Sequence, residues 1–361
     1  MHRCTAHPPC PGAAQPDRRT ALRPGPLGGR LDRAAPSPHR CRPARERTRL
    51  TQGDSLMKLG TILDQSEFGD LHGGDVVAEA LDRKWIEDFA EGQYVYRAPW
   101  VRLLRRLQSE ILQRAYDNGF EEWLFPRLIP REALDNFRLS QYAPELLVPA
   151  GPGGDQILDP VQCISLYHLM RGRRLSAQEL PLRIVETLGG WTWRNEYSAD
   201  LDGPIKAREF LRVEHVFFGT REQVRATRGQ VRRTLTDLLT GWGLSWQVVA
   251  AEGCMEIPSL VQAQDDARTA DEVPVQDIEV PLSSRRPDRA RPGWADHFDD
   301  RFDLREISGC SAEGTHQTES FRITAEGEEL WSGCCGIGMN RLVVAFLYRH
   351  GFDAALKELD A

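Results

Sequence analysis

The chain has 361 residues, 40% of them hydrophobic, and carries 46 Lys and Arg against 53 Asp and Glu for a net charge of −7, which suits one α/β domain of roughly 250–300 residues plus a tail. Residues 1–56 hold 11 Arg against 4 acidic residues; the remainder is therefore at about −14, a balance that argues against a body built to grip nucleic acid. No stretch reaches the ~20 apolar residues of a membrane span and no apolar run marks a secretory signal, so a cytoplasmic protein without membrane contact is expected, its eight Cys serving as thiols, metal ligands or core residues rather than disulfides.

In chain order, residues 1–56 are rich in Arg and Pro with almost nothing to bury; such a segment cannot offset its ordering entropy and is expected to be disordered. Asp17, Asp32 and the prolines fit a transit peptide poorly, and Met57 offers an alternative start. The folded domain is expected over 57–361, opening with a weakly patterned stretch to Gly92. Trp100–Asn118 places Val101, Leu104, Leu107, Ile111, Leu112 and Ala115 at three- and four-residue spacing, which predicts an amphipathic helix. Residues 120–126 read as a strand stopped by Pro126. Two β-like runs, 191–196 and 210–218, flank a polar stretch with Asp200, Asp202, Gly203 and Pro204, a hairpin with a long loop. Helical periodicity returns over 221–239, strands are expected at 273–282 and 321–324, a surface loop at 285–303, and a glycine-led helix over 336–359. The basic clusters at Arg102, Arg105 and Arg106, at Arg171, Arg173 and Arg174, and over Arg225–Arg233 read as solvated helix faces.

An Arg and a Glu in one strand, an aromatic in its partner, and a Gly-rich turn ending in Arg make a set that can hold ATP. Arg194 can meet the α-phosphate bidentately, Phe210 can stack on adenine, and Arg341 can bring charge to the triphosphate. Taken alone, a pair such as Arg194 and Glu196 is more often a surface ion pair.

The order and spacing of these segments resemble the three motifs of class II aminoacyl-tRNA synthetases over roughly residues 95–352. Residues 98–130 resemble motif 1, residues 193–196 with 206–210 resemble motif 2, and residues 336–341 resemble motif 3. The resemblance implies an α/β (α+β) catalytic core, a mixed, mostly antiparallel sheet flanked by helices, dimerising with itself through motif 1 at Pro126. It implies ATP contacts from Arg194, Glu196, Lys206, Phe210, Glu306 and Arg341, with Arg194 and Arg341 catalytic and Mg2+ held through Glu306.

Residues 306–311 and Gln317 are similar to the seryl branch. Cys163, Glu214 and Cys334 match the zinc ligands of archaeal-type seryl-tRNA synthetases and of the related amino acid:carrier protein ligases. Two thiolates and a carboxylate would leave a fourth tetrahedral position open for the substrate's free α-amine. Cys335 is the alternative to Cys334; Cys254 and Cys310 read as packing residues, and His168, His215 and His316 as neighbours of the site or core.

The chain departs from the family at Asn340, Lys206 and Gly309, and Glu319 and Ser320 stand where an Arg pair is usual. With no apolar heptads before motif 1 and an acidic body, the expected function is activation of an amino acid with ATP to an aminoacyl adenylate, passed to the phosphopantetheine thiol of a carrier protein. On this reading tRNA is an unlikely partner. Transfer to tRNA is the alternative, and a non-catalytic binding module is a third reading.

Overall fold

The computed structural model describes residues 56–69, 71–139, 147–187, 190–253, 257–283 and 302–360. All but the end of the Arg- and Pro-rich segment, Cys254, and nearly all of the expected 285–303 loop lie outside the described residues.

From the N-terminal side the elements are β1 (Ile62–Gln65), α1 (Val76–Asp82), the hairpin β2 (Ile86–Ala90) and β3 (Gln93–Tyr96), α2 (Ala98–Asp117), β4 (Glu121–Glu122), β5 (Leu128–Pro130) and α3 (Arg131–Phe137). Next come β6 (Val148–Ala150), β7 (Gln156–Leu158), α4 (Cys163–Met170), β8 (Arg174–Leu175), β9 (Leu182–Glu186), β10 (Trp191–Trp193), β11 (Glu209–Gly219) and α5 (Arg221–Gly241). The chain continues through β12 (Gln247–Ala250), α6 (Pro258–Asp266), β13 (Val275–Ser283), β14 (Asp303–Gly314), α7 (His316–Ser320), β15 (Thr324–Ala325), β16 (Trp331–Gly338), α8 (Met339–His350) and α9 (Phe352–Asp360).

The main sheet runs β1-β12-β13-β14-β16-β11-β9-β4, with β10 paired to β11. Its ladders are antiparallel except the last, β4 with β9. The expected mixed, mostly antiparallel sheet flanked by helices is thus the architecture observed. One face packs on α2, α5 and α8 through Leu107, Ile111, Val231, Leu235, Leu342 and Phe346, against Val213, Phe217, Ile278 and Ile337 of the sheet. The other face meets α3 and α4 through Phe137, Ile164 and Tyr167, against Val216 and Phe218.

The periodic helices form as expected. In α2 the buried stripe is Trp100, Leu103, Leu104, Leu107, Ile111 and Ala115, and the helix starts two residues early because Pro99 is tolerated in a first turn. In α5 Thr220 and Gln223 form a reciprocal capping box. The expected last helix is two, α8 and α9, parted at Gly351, whose φ of +76° suits glycine.

Two expected strands are shorter than the sequence suggested. Within 120–126 only Glu121 and Glu122 pair, since the Phe125 amide donates to the Glu186 carboxylate instead of a sheet neighbour. In 321–324 the Phe321 amide closes α7 onto the Gln317 carbonyl, so pairing begins only at Thr324.

The Arg225–Arg233 cluster is not uniformly solvated. Arg228 is 2% exposed, and its guanidinium donates to the carbonyls of Asp271 at 3.0 Å, Pro274 at 3.3 Å, and Val273. Those carbonyls lie just ahead of β13, so one side chain ties α5 to the start of that strand. Arg228→Met keeps the aliphatic stem but leaves the buried carbonyls without their donors, and is expected to cost about 2–4 kcal/mol. Urea unfolding should show a lower midpoint with unchanged slope, whereas Arg225→Met, stacked on Trp331 at 5.8 Å, should cost no more than about 1 kcal/mol. Equal losses in the two variants would show that the buried carbonyl contacts contribute nothing special.

Candidate functional site

Strand alternation builds the site. Along β11, Val213 and Phe217 enter the helix-side core, while Phe210, Arg212 and Glu214 line a cavity of about 340 Å³ on the opposite face. Neighbouring β16 does the same, with Ile337 and Cys335 in the core and Cys334, Gly336 and Gly338 at the cavity. The strands pair with Glu214 opposite Gly336 and Val216 opposite Cys334. A Cβ at position 336 would lie 1.9 Å from Arg212 Nε and 2.1 Å from Glu214 Oε2, so the two charged side chains occupy space that only glycine leaves.

Every residue proposed from the sequence lines this cavity: Cys163, Arg194, Glu196, Lys206, Phe210, Glu214, Glu306, Cys334 and Arg341. Cys163 is the first residue of α4 and is held by the loop before it. Buried Asp159 accepts the Val161 amide at 3.0 Å, Arg127 bridges Asp159 and Glu186, and Gln162 donates to Glu186 at 3.2 Å. Burial pushes the Asp159 carboxyl up to about 7, against the pull of Arg127.

The ligand atoms of Cys163, Glu214 and Cys334 all lie within 4.8 Å of one another. Glu214 is 1% exposed, its Oε1 makes no hydrogen bond, and Arg212 Nε stands 2.8 Å from Oε2. All three acids are pushed above their ordinary range. For Glu214 burial outweighs Arg212; for Cys163 the contact with Cys334 and burial act together. Cys334 is pulled down by Cys163, but burial with Glu214 and Glu313 outweighs it. Three ionisable groups that all lack a sufficient counter-charge suit a divalent cation, and the two-sulfur, one-oxygen set with ligand atoms this close fits tetrahedral zinc. Cys335 takes no part. It is fully buried on the helix side, paired across the ladder with Cys310. His215 is on that side too, its Nδ1 3.1 Å from the Cys335 carbonyl, and burial pushes its pKa down to about 4. His168 and His316 do not line the cavity.

At the other end of the cavity Arg194 lies over the Phe210 ring at 5.7 Å. Arg341 donates to the carbonyls of Ile205 at 2.7 Å and Glu306 at 2.6 Å, with the Glu306 carboxylate 3.7 Å away. Lys206 pairs with Glu196 and Asp200, each at 3.4 Å. Asn340 accepts the Leu211 amide at 3.0 Å and so pins α8 to β11.

Glu306 reaches this face through a β-bulge. Ile278 pairs with Ser308 and Glu279 with Glu306, one step on β13 against two on β14. Strict alternation would send Glu306 with Cys310 and Ala312 to the helix side; the extra residue re-aims it into the cavity. Asp277 Oδ1 and Glu306 Oε1 lie 3.4 and 3.5 Å from where a Cβ of Gly309 would be.

Among the cavity residues not singled out from the sequence are Arg212, Asp277 and Glu313. Arg212 sits two residues before Glu214, so the strand period alone would have placed it beside that ligand. Asp277 and Glu313 carry no such signal, because strand pairing across β13 and β14 brings them in.

A family model described as the tRNA synthetase class II core domain (G, H, P, S and T) matches residues 152–350. The type-2 serine–tRNA ligase of Methanopyrus kandleri is 26% identical over 346 residues, covering 85% of this chain and 63% of that protein. The type-2 serine–tRNA ligase of Methanocaldococcus jannaschii is 26% identical over 77% of this chain and 56% of its own length. The chain thus spans about three fifths of the curated relatives it matches. Among solved structures, the M. kandleri seryl-tRNA synthetase in complex with A. aeolicus tRNASec superposes with a TM-score of 0.69 at 24% identity, over 82% of this chain and 61% of that one. The Pyrococcus horikoshii seryl-tRNA synthetase complexed with ATP gives 0.58 at 18% identity, over 77% of this chain and 59% of that one.

These relatives overturn the expectation that tRNA is an unlikely partner, and with it the preference for a carrier-protein acceptor: the relatives are named as tRNA ligases, and one of them was crystallised with a tRNA. The expectation rested on the lack of apolar heptads before motif 1 and on net charge, and net charge sums the whole chain, whereas nucleic acid meets only a local surface. No helix among the described residues is long and apolar enough to cross a membrane. With residues 152–350 matched, and residues of the second and third motifs lining one cavity, the chain belongs to the tRNA synthetase class II core domain family.

Proposed function

We propose that the chain activates an α-amino acid with ATP, forming an aminoacyl adenylate and pyrophosphate, and transfers the aminoacyl group to a tRNA. The observation that carries the reading is the sharing of one cavity by the Cys163, Glu214 and Cys334 trio and by Arg194, Glu306 and Arg341. The names of the relatives support the acceptor.

A zinc ion held by Cys163, Glu214 and Cys334 would supply a Lewis-acidic position for the substrate's uncharged amine and exclude acids that lack one. Arg212, paired with Glu214, fixes that carboxylate in place. The amino acid carboxylate attacks the α-phosphorus of Mg·ATP; an O–P bond forms, the bond to the β-phosphate oxygen breaks, and its electron pair leaves with pyrophosphate. Arg194 and Arg341 face the negative charge that builds on the phosphoryl oxygens. Arg341 is held for this by the backbone carbonyls of Ile205 and Glu306, so little reorganisation is needed when charge develops. Glu306 and Asp277, flanking Gly309, are the carboxylates available to the magnesium that accompanies ATP. In the second step an acceptor hydroxyl of tRNA attacks the adenylate carbonyl and AMP leaves.

Elemental analysis should find one zinc per chain, lost in Cys163→Ser and Cys334→Ser and kept in Cys335→Ser, whose thiol lies on the other face of the sheet. Zinc retained in Cys334→Ser and lost in Cys335→Ser would move the ligand by one residue.

Arg194→Ala should depress ATP–pyrophosphate exchange by about 10²–10³-fold while leaving the melting temperature nearly unchanged, because its guanidinium makes few contacts with the fold. Exchange at the wild-type rate would remove Arg194 from the chemistry.

The acceptor is read by giving labelled amino acid and ATP to the zinc-loaded chain with total tRNA or with a phosphopantetheinylated carrier protein. Label is expected on tRNA; label on the carrier alone would overturn the acceptor assignment and leave adenylate formation standing.

A further inference from the structure

Both arginines proposed for ATP are fastened to one stretch of chain. The Arg194 amide donates to the Arg208 carbonyl at 2.8 Å, and Arg341 Nε donates to the Ile205 carbonyl at 2.7 Å. Between these anchors the chain turns tightly, the Asp202 carbonyl accepting the amides of Ile205 at 3.0 Å and Lys206 at 3.2 Å. Pro204, Ile205, Lys206 and Ala207 line the cavity. A displacement of residues 201–208 would therefore shift the anchors of both arginines together.

This loop is backed from outside by the β2–β3 hairpin, none of whose residues lines the cavity. The base of the hairpin is fixed in the core by fully buried Ile86 and by Trp85, whose ring stands edge-on to Phe352 at 4.9 Å. Its two-residue tip, Glu91 and Gly92, meets the loop in three ways. The Gly92 carbonyl accepts the Arg208 amide at 2.9 Å, and the Glu91 carboxylate accepts the Arg208 guanidinium at 2.9 Å. The third contact is close packing: a Cβ on Gly92 would lie 2.9 Å from Leu201 Cδ2 and 3.0 Å from Arg208 Cγ, so glycine lets the tip close on both ends of the loop. The Arg208 backbone thus carries hydrogen bonds in both directions, its amide to the hairpin and its carbonyl to Arg194.

Resting on the reading that Arg194 and Arg341 serve ATP, we propose that the hairpin tip sets their position: Gly92 and Glu91 are positioning residues that act through Leu201 and Arg208 to preorganise the cavity for Mg·ATP. The ion pair is the lesser part, because the Glu91 side chain is 58% exposed and water screens it. Packing at Gly92 and the shared backbone hydrogen bonds fix the distance between hairpin and loop. Preorganisation of this kind is steep in distance, since a misplacement of about 1 Å can cost about 10²-fold in rate.

The test is calorimetric binding of Mg·ATP to the zinc-loaded full chain without amino acid, followed by ATP–pyrophosphate exchange KM and kcat. Gly92→Asn adds a side chain where the packing is closest, while Asn tolerates the backbone φ of +72°. It should weaken Mg·ATP binding about 10-fold and lower exchange kcat/KM for ATP by about 10–100-fold, with zinc content and the KM for the amino acid near wild type. Gly327→Asn, at a φ of +84° with nothing within 4 Å of its Cβ, makes the same exchange of residue in open space and should change neither. Adding Leu201→Ala to Gly92→Asn makes room for the new side chain and should recover part of the loss. Glu91→Lys, on an exposed side chain that spares folding, sets like charge against Arg208 and should weaken Mg·ATP binding by about 3-fold. Mg·ATP binding within about twofold of wild type in both Gly92→Asn and Glu91→Lys, each folded and zinc-loaded, would overturn the inference. So would equal losses for Mg·ATP and for the amino acid, the mark of a general loss of structure. Weakened Mg·ATP binding in variants of a chain that shows no exchange would uphold the hairpin's role and count against adenylate formation, so the two readings fail separately.

Discussion

The dehydration of Glu214 between two thiols sets the terms for the rest of the molecule. A carboxylate 1% exposed stays charged only if cations share its space; Arg212 stands at 2.8 Å and Arg194 also favours the charged form, yet burial outweighs them. That requirement reaches into the backbone. Glycine at 336 keeps the volume that Arg212 and Glu214 fill, and the register of β11 with β16 keeps Cys334 beside them. A one-residue slip would turn Cys335 into the cavity and Cys334 into the core, destroying both faces at once. The apolar packing of α2, α5 and α8 on the opposite face therefore protects the site by holding register.

The second half of the cavity depends on an irregularity. The bulge at β14 brings Glu306 round to join Asp277, and Gly309 lets both carboxylates approach the same space. Arg341, carried on the first turn of α8, closes this end against backbone carbonyls rather than against carboxylates alone. A charged group held by neutral dipoles keeps its charge available to a substrate. Asn340, a departure from the family, is a neutral amide that joins α8 to β11 and adds no negative charge beside Arg341. Lys206, another departure, bridges two acids of the long hairpin loop and so holds that loop against the cavity.

Much of this was legible in the chain. The 3.6-residue apolar rhythm of α2 and α5 survives into the structure because each helix buries one stripe on the sheet, and the two runs at 191–196 and 210–218 do pair as a hairpin. The nine proposed site residues all reach one cavity, because motif order and spacing are local properties that a sequence records directly. The short strands at 121–122 and 324–325 were overextended in the reading, since apolar and β-branched composition does not reveal that the Phe125 and Phe321 amides have other partners.

What the sequence by itself determined is the family, the periodic elements and the residue types of the trio, each encoded by neighbours along the chain. Which of two adjacent cysteines faces the cavity, how Arg228 comes to be buried in a helix rich in exposed arginines, and how Asp277, Glu306 and Glu313 converge were decided by the tertiary structure. Those outcomes depend on strand register, on a single bulge and on contacts between segments tens of residues apart. A local pattern cannot carry them, because a residue's face is fixed only when its neighbours across the sheet are in place.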